Sequence, residues 1–422
     1  MAILLMAYML AMVDRIIVGL LAQPIQQALR LTDTELSLLQ GLAFAIFYTT
    51  LGLPCGWLAD RMTRTRLLSA GIAIWSCMTA ACAFAGSFLP FFIARIGVGV
   101  GEAVLSPTVT SLIADYFEPK RRSAAYGVYQ VALAVGTACA WLAGGQLLGW
   151  LNQFPSLKLG ILGSFAPWQA TMLGVGAPGL VVALLLLVTV REPERRNISG
   201  EHATWRAAFQ HIRANWRAFA FHHVGMAMPV LGLYAWLAWI PTFFLRVYGW
   251  PIPDATFWFA VCVGPTGLIS ALACGLLTAR LEASGRLDAN MTGALIGVVG
   301  STFFGTLMFL MPTPALSLLM LCGTGIFIVF APALALASLV EIAPNEMRAK
   351  CTAIYLMTLG LLAVAEGPFF VALLTEHVFG QPSSVGSAAA VVIGASGVVG
   401  CIILAAGRRY HVIARAAAGS GI

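Results

Sequence analysis

Apolar residues run along this chain in long blocks separated by short polar punctuation. A membrane-crossing helix needs about 20 consecutive, mainly apolar residues. Reading between the polar breaks gives twelve such segments, at roughly 2–27, 36–59, 67–87, 89–115, 123–149, 167–190, 218–247, 254–280, 290–311, 314–341, 348–377 and 384–407. The alternation of a transmembrane β-strand is missing, for Leu180–Val190 runs without it. The pattern predicts an all-α membrane protein with twelve transmembrane helices. The longest stretch between segments, 191–217, has a helical period in its second part. Trp205, Ala208, Phe209 and Ile212 fall on one face, with Arg206 and Arg213 elsewhere. It reads as an amphipathic surface helix linking two halves, 1–190 and 218–422.

Composition narrows the class. Of 422 residues, 60% are hydrophobic and 10% charged, and the mean hydropathy is +0.89. A soluble domain carries about 25% charged residues, so a soluble enzyme, a nucleic-acid binder and a disordered regulator are excluded. The net charge of +7 is a matter of topology, because Lys and Arg gather in cytoplasmic loops. With both termini in the cytoplasm, the loops on that side hold Arg61, Arg64, Arg66, Lys120, Arg121, Arg122, Arg191, Arg195, Arg196, Arg206, Arg213, Arg217, Arg280, Arg286, Arg348 and Lys350, and the tail adds Arg408, Arg409 and Arg415. The outside holds Arg30, Lys158 and Arg246. The nine cysteines lie mostly inside apolar runs without a CxxC, as small buried hydrophobes. The first segment has no basic leader and carries Asp14 and Arg15, so it is a span rather than a cleaved signal peptide. A cytoplasmic tail ahead of it is expected to be short or missing.

The two halves echo each other. Gly56-Trp-Leu-Ala-Asp60-Arg61 after the second span is repeated as Gly275-Leu-Leu-Thr-Ala279-Arg280 after the eighth. Arg122-Ser-Ala-Ala-Tyr-Gly-Val-Tyr129 after the fourth is repeated as Arg348-Ala-Lys-Cys-Thr-Ala-Ile-Tyr355 after the tenth. A six-plus-six duplication predicts two six-helix bundles, a substrate site between them near mid-membrane, and rocking that opens it to one side at a time.

Charges within spans cost at least about 2.5–3.5 kcal/mol each at a helix centre, so they are functional candidates. They are Asp14, Arg15, Arg95, Glu102 and Glu366. Neighbours on a helix diverge by about 100°, so Asp14 and Arg15 each need a partner elsewhere. Arg95 and Glu102, seven apart, share a face about 10 Å along the fourth span. Two acids beside two guanidinium groups suit proton loading and release, since a nearby cation favours the charged carboxylate and burial opposes it. Glu366, before Gly367 and Pro368, is a candidate gate or cation site. In the second-span loop, Asp60, Arg61 and Arg64 are candidates for a cytoplasmic gate, and Ala279 replaces the acid in the second copy. Gly97-xxx-Gly101 and Gly52-xxx-Gly56 predict close helix packing rather than nucleotide binding. His222-His223 and His377 show no metal-ligand pattern. There is no GxxxxGK[ST] phosphate loop, HExxH or GxSxG, which argues against ATP-driven transport and against a membrane hydrolase.

The loop at 56–66 resembles the cytoplasmic signature of the major facilitator superfamily. More narrowly, Tyr48, Pro54, Gly56 and Leu58-Ala-Asp60-Arg61 with Arg64, then Arg95, Gly99, Gly101-Glu102-Ala103, Pro107 and Ala114-Asp115-Tyr-Phe117, together with Asp14-Arg15, resemble the Spinster family. The superfamily resemblance covers nearly the whole chain, and the Spinster part rests mainly on the first half. It implies the major facilitator fold in a bacterial inner-membrane homologue, and a lysophospholipid, sphingosine or sphingosine phosphate substrate moved in a proton-linked way. It assigns protonation to Asp14 and Glu102, headgroup or charge-relay roles to Arg15 and Arg95, and gate closure to Asp60 and Arg61. Where the family commonly has Asp before Ser-Pro in span eleven, this chain has Glu366-Gly-Pro368. The expectation is therefore a monomeric, proton-driven secondary transporter in the bilayer, without a cofactor, nucleic acid or metal. A transporter of a soluble drug, sugar or organic anion is the alternative, and a non-transporting receptor is more distant.

Overall fold

The computed structural model describes residues 1–154, 156–158, 163–194 and 204–419. Part of the linker, 195–203 with Arg195 and Arg196, lies outside the described residues. The first half contains α1 (Ala2–Leu20), α2 (Ala22–Leu29), α3 (Asp33–Gln40), α4 (Leu42–Arg61), α5 (Arg64–Cys82), α6 (Phe88–Glu102), α7 (Leu105–Tyr116), α8 (Pro119–Leu151) and α9 (Pro167–Thr189). The linker supplies α10 (Trp205–Ala214). The second half contains α11 (Trp216–Tyr248), α12 (Ile252–Ala283), α13 (Ala289–Met308), α14 (Pro314–Phe327), α15 (Phe330–Ile342), α16 (Arg348–Leu359), α17 (Glu366–Leu373) and α18 (Val385–Gly419). Among the described residues, eleven segments are long and apolar enough to cross a membrane, and α8 is a further helix of 33 residues.

Local chemistry sets the ends. Pro opens α8, α9 and α14 in the first turn, where its missing N–H is not needed. At α3, Thr32 accepts from the Glu35 amide and Glu35 accepts from the Thr32 amide, a reciprocal capping box. Several continuous apolar runs prove to be broken helices, with interruptions at Leu21, Gly41 and Ala103–Val104. A short hairpin, β1 (Leu157–Lys158) with β2 (Ser164–Phe165), joins α8 to α9 and is not signalled by the periodicity.

The chain divides into two compact units, Met1–Ile198 with Leu237–Ala260, and Ser199–Trp236 with Val261–Ile422. The contacts thus group Leu237–Ala260 with unit 1, whereas the hydropathy pattern sets its boundary at 190 and 218. In unit 1 the main packing is α5 on α9 and α6, and α1 on α8. The core there is built from residues such as Leu68, Ile72, Trp75, Val98, Val109 and Leu112. In unit 2, α13 packs on α14 and α18.

Glycine explains one close approach. A Cβ on Gly101 would stand 2.7 Å from the Gly71 carbonyl oxygen, so α5 and α6 touch backbone to backbone there. The Gly52–Gly56 reading is corrected: nothing lies within 4 Å of a Cβ at Gly52, and only Pro107, at 3.8 Å, near one at Gly56. The cysteine expectation holds for Cys55, Cys82, Cys262, Cys274 and Cys351, which are buried, while Cys77 and Cys139 are exposed.

Candidate functional site

Four of the five charged residues within the spans meet inside unit 1. Asp14 and Arg15 on α1 diverge as the helix requires, and the Arg15 side chain turns toward α6. Arg15 donates from Nε to Glu102 Oε2 at 2.7 Å. Glu102 is the last residue of α6, just before the break at Ala103. Arg95, two turns earlier on the same face, meets backbone instead of a carboxylate. Its Nη1 donates to the Asp14 carbonyl at 3.2 Å and its Nε to the Leu39 carbonyl at 3.4 Å. Leu39 lies at the end of α3, where the break at Gly41 interrupts the helix.

The cluster is dry on three of its four members. Asp14 is 2% exposed, Arg95 1% and Glu102 0%, while the Arg15 side chain keeps 18%. Aromatic rings wall in the guanidinium groups: Arg15 lies 5.0 Å from the Phe44 ring and 4.4 Å from the Tyr48 ring. Such contacts are worth about 2 kcal/mol or more when desolvated. Tyr8 and Tyr129 stack beside it with ring centroids 4.6 Å apart. Asp14 Oδ1, Glu102 Oε1 and the Tyr129 hydroxyl are buried without a hydrogen-bond partner among the described residues. Buried polar atoms are almost always satisfied, and these three are exceptions, as Trp75 Nε1 and Trp141 Nε1 are elsewhere in unit 1.

The loop candidates separate. Asp60 and Arg61 are exposed at the end of α4, with Arg61 over the Trp57 ring at 4.1 Å. Arg64 is fully buried. It pairs with Asp115 on α7 and, from Nε at 2.7 Å, with Glu192 beyond α9. Glu192 also accepts from the Thr65 amide at 2.9 Å, so it caps the positive N-terminus of α5. Burial opposes ionisation of Glu192, but the Thr65 amide and Arg64 outweigh it and hold the carboxyl below its ordinary range.

Unit 2 carries less charge in its spans. Glu366 opens α17 directly after a π-helical turn at Gly360–Val364, so the helix is remodelled ahead of Pro368. Gly367 lies so close to α11 that a Cβ would stand 2.8 Å from the Ala235 amide nitrogen. Glu366 is partly buried and makes no ion pair among the described residues. His222 and His223 meet through their Nδ1 atoms, and His223 Nε2 is left buried without a partner among the described residues. His222 Nε2 lies 2.9 Å from both the Ala335 carbonyl and Ser338 Oγ. A carbonyl only accepts, so Nε2 carries the hydrogen, and in the neutral ring Nδ1 accepts from His223 Nδ1 at 3.3 Å. His377 is exposed near the end of its segment. A cavity of about 30 Å³ near Trp236, Thr302 and Ser396 has room for little more than one water.

Sequence reasoning missed several partners. Tyr8 and Phe44 carry no polar signal, and Tyr48, Tyr129 and Asp115 stood only as letters of motifs. Arg246, counted as an outside charge, grips Asp33 at 2.7 and 2.6 Å and Gln26 at 2.8 Å inside unit 1.

Long apolar spans with an acid–guanidinium knot among them define a multi-pass membrane protein. The family model of the Major Facilitator Superfamily matches residues 4–368, and the chain belongs to that superfamily; it is a membrane transporter and not an enzyme. Within it, the chain is similar to Spinster proteins. The structure of a bacterial homologue of the human lysosomal transporter Spinster, inward-facing and unoccupied, superposes with a TM-score of 0.79 at 25% identity, covering 98% of this chain and 96% of that one. Spinster homolog 1 of Homo sapiens is 27% identical over 58% of this chain and 45% of its own length. An MFS-type efflux pump of Mycolicibacterium smegmatis is 25% identical over 92% of this chain and 87% of its own.

Proposed function

We propose that this transporter moves a lysophospholipid or sphingolipid-like substrate, such as sphingosine or its phosphate, by proton-coupled alternating access. The carrying observation is the buried knot of Asp14, Arg15, Arg95 and Glu102. Asp14 and Glu102 are the proton carriers. While Glu102 is ionised it holds Arg15. A proton on Glu102 weakens that pair and frees the one partly exposed guanidinium of the knot for an anionic headgroup; loss of the proton recaptures it. Arg95 holds α1 and α3 in place through their carbonyls and serves as charge relay. Glu366 is the polar residue that the second half offers to substrate or gate. Asp60, Arg61 and Arg64 form the cytoplasmic gate region, with Arg64 its fixed anchor. The halves 1–190 and 218–422, joined by 191–217, act as the moving bodies of a monomer. It sits in the cell membrane with both termini in the cytoplasm, and the proton gradient takes the place of a cofactor. The similarity to Spinster proteins supports the lipid assignment.

The test is proton-gradient-dependent lipid movement in proteoliposomes, wild type beside Asp14→Asn and Glu102→Gln. Each variant is expected to lose most of its dependence on the gradient. If both keep it in full, those acids do not carry the proton. A second reading, efflux of a soluble drug, sugar or organic anion, is favoured by the long alignment with the efflux pump. Saturating competition by such a solute, with none by lysolipid, would replace the lipid reading.

A further inference from the structure

Helix α10 carries a surface that transport does not use. From Thr204 to Arg217 there is no acidic residue, and Arg206, Arg213 and Arg217 are all exposed. The helix is anchored on one side. Ala208 is buried, Ile212 packs against the unit 2 core, and His211 Nε2 meets the Ile342 carbonyl at 3.0 Å. Lys350 Nζ lies 5.5 Å from the Trp205 ring, tying the start of the helix to α16. These contacts lay α10 across the ends of α15 and α16.

The free side carries aromatic rings beside its arginines. Trp205 is 41% exposed, Phe209 58% and Trp216, just past the end of the helix, 57%. The hydropathy pattern placed Trp205 and Phe209 on one face with Ala208 and Ile212, but only the latter two turn inward. Trp205 and Phe209 form their own ring pair at 6.1 Å. At about 100° per residue, Arg213 and Arg206 follow Phe209 around the helix by about 40–60°. The Arg217 guanidinium lies 5.4 Å from the Trp216 ring. Trp and Phe beside Arg, on a helix at the end of membrane spans, is the arrangement of a segment lying in the headgroup layer. Basic residues there are drawn to anionic lipid, each by about 1 kcal/mol or about fivefold in local affinity.

We infer that α10, with Trp216 and Arg217, is a docking site for anionic phospholipid of the surrounding bilayer. The rings lie at the acyl boundary and the three arginines meet phosphates. The leaflet is the one facing the basic end of the spans, the cytoplasmic leaflet in the orientation proposed above. The site does not depend on what is transported, so its test needs no transport assay.

Full-length protein is placed in phosphatidylcholine nanodiscs containing either brominated phosphatidylglycerol or brominated phosphatidylcholine at equal fraction, and tryptophan quenching is recorded. The variants Trp205→Phe and Trp216→Phe assign the signal to these two rings. Quenching of these rings is expected to be greater by the anionic lipid. The excess should fall about fivefold for each of Arg206→Gln, Arg213→Gln and Arg217→Gln, and shrink as salt rises. Equal quenching by the two lipids, or an excess that survives the triple substitution, overturns the assignment.

Discussion

The two units tie down the same helix ends with charges of opposite sign. In unit 1 the third span opens on a cation, Arg64, and the residue that closes it is an acid beyond the sixth span, Glu192. In unit 2 the ninth span is preceded by an acid, Asp288, and the residue that closes it is a cation on the twelfth, Arg408, at 2.5 Å. The fourth and tenth spans continue the comparison. The register that carries Tyr129 onto Tyr355 also carries Asp115 onto Glu341. Asp115 pairs with Arg64 of the third span, whereas Glu341 pairs with His411 at 2.9 Å and Arg415 at 2.7 Å, both on the twelfth. Duplication kept the helix packing, α5 on α9 and α13 on α18, and kept the acid of the fourth span. The sign at the other two places was free to change, because a buried charge needs an opposite partner, not a particular one.

Dryness separates the two networks, and the largest expected effect follows from it. The Arg64 side chain is 1% exposed and Asp115 9%, against 30% for Arg408 and 34% for Arg415. Arg64→Leu leaves two carboxylates facing each other in a poorly hydrated seam and should cost about 3–5 kcal/mol. Arg408→Leu, whose partner keeps Arg286 and some water, should cost about 1 kcal/mol. Unfolding of the two variants in matched nanodiscs measures the difference. Equal losses would mean that the networks do the same job despite their exposure.

A similar contrast holds within the spans. Tyr129 of the fifth span stacks on Tyr8 of the first; Tyr355 of the eleventh lies 5.4 Å from both His222 and His223 of the seventh. Unit 1 fills that place with carboxylates and guanidinium groups, unit 2 with two imidazoles in contact through Nδ1. Among the described residues the Tyr129 hydroxyl has no hydrogen-bond partner to lose. Tyr129→Phe should therefore leave stability within about 0.5 kcal/mol while weakening gradient-driven movement. Tyr355→Phe should leave movement unchanged. The opposite ranking in a proteoliposome assay would move the substrate contact to unit 2.

Most of the spans and four of the candidate residues were legible because a charge inside an apolar run is costly and stands out. Which partner each one meets was not legible. Divergence along α1 says that Asp14 and Arg15 part company, but only the three-dimensional fold brings Arg15 to Glu102 and leaves Arg95 with backbone. Arg64 reads from the sequence as a loop charge of the cytoplasmic gate beside Arg61; the acids that bury it arrive from 51 and 128 residues away. Arg246 and Asp33, 213 apart, are hidden in the same way. The helix breaks at Leu21, Gly41 and Ala103 leave no gap in hydropathy, since apolar residues continue through them.

Acid is the mildest way to probe the sign reversal, because both loop carboxylates respond in the same direction although they sit on opposite partners. At Asp288, burial opposes ionisation, but Arg408 and Arg286 outweigh it and hold the carboxyl below its ordinary range, as Thr65 and Arg64 do for Glu192. Each folded-state pKa is thus below its unfolded value of about 3.9 or 4.3. The stabilisation is fully present above those unfolded values and is lost as pH falls through the folded ones. Resistance to unfolding should stay level from neutral pH to about pH 5 and decline below about pH 4. Glu192→Gln should remove part of that acid-dependent decline and Asp288→Asn another part, with the double variant flattest. A decline untouched by either change would place the acid-sensitive groups elsewhere and leave the paired loops as static props.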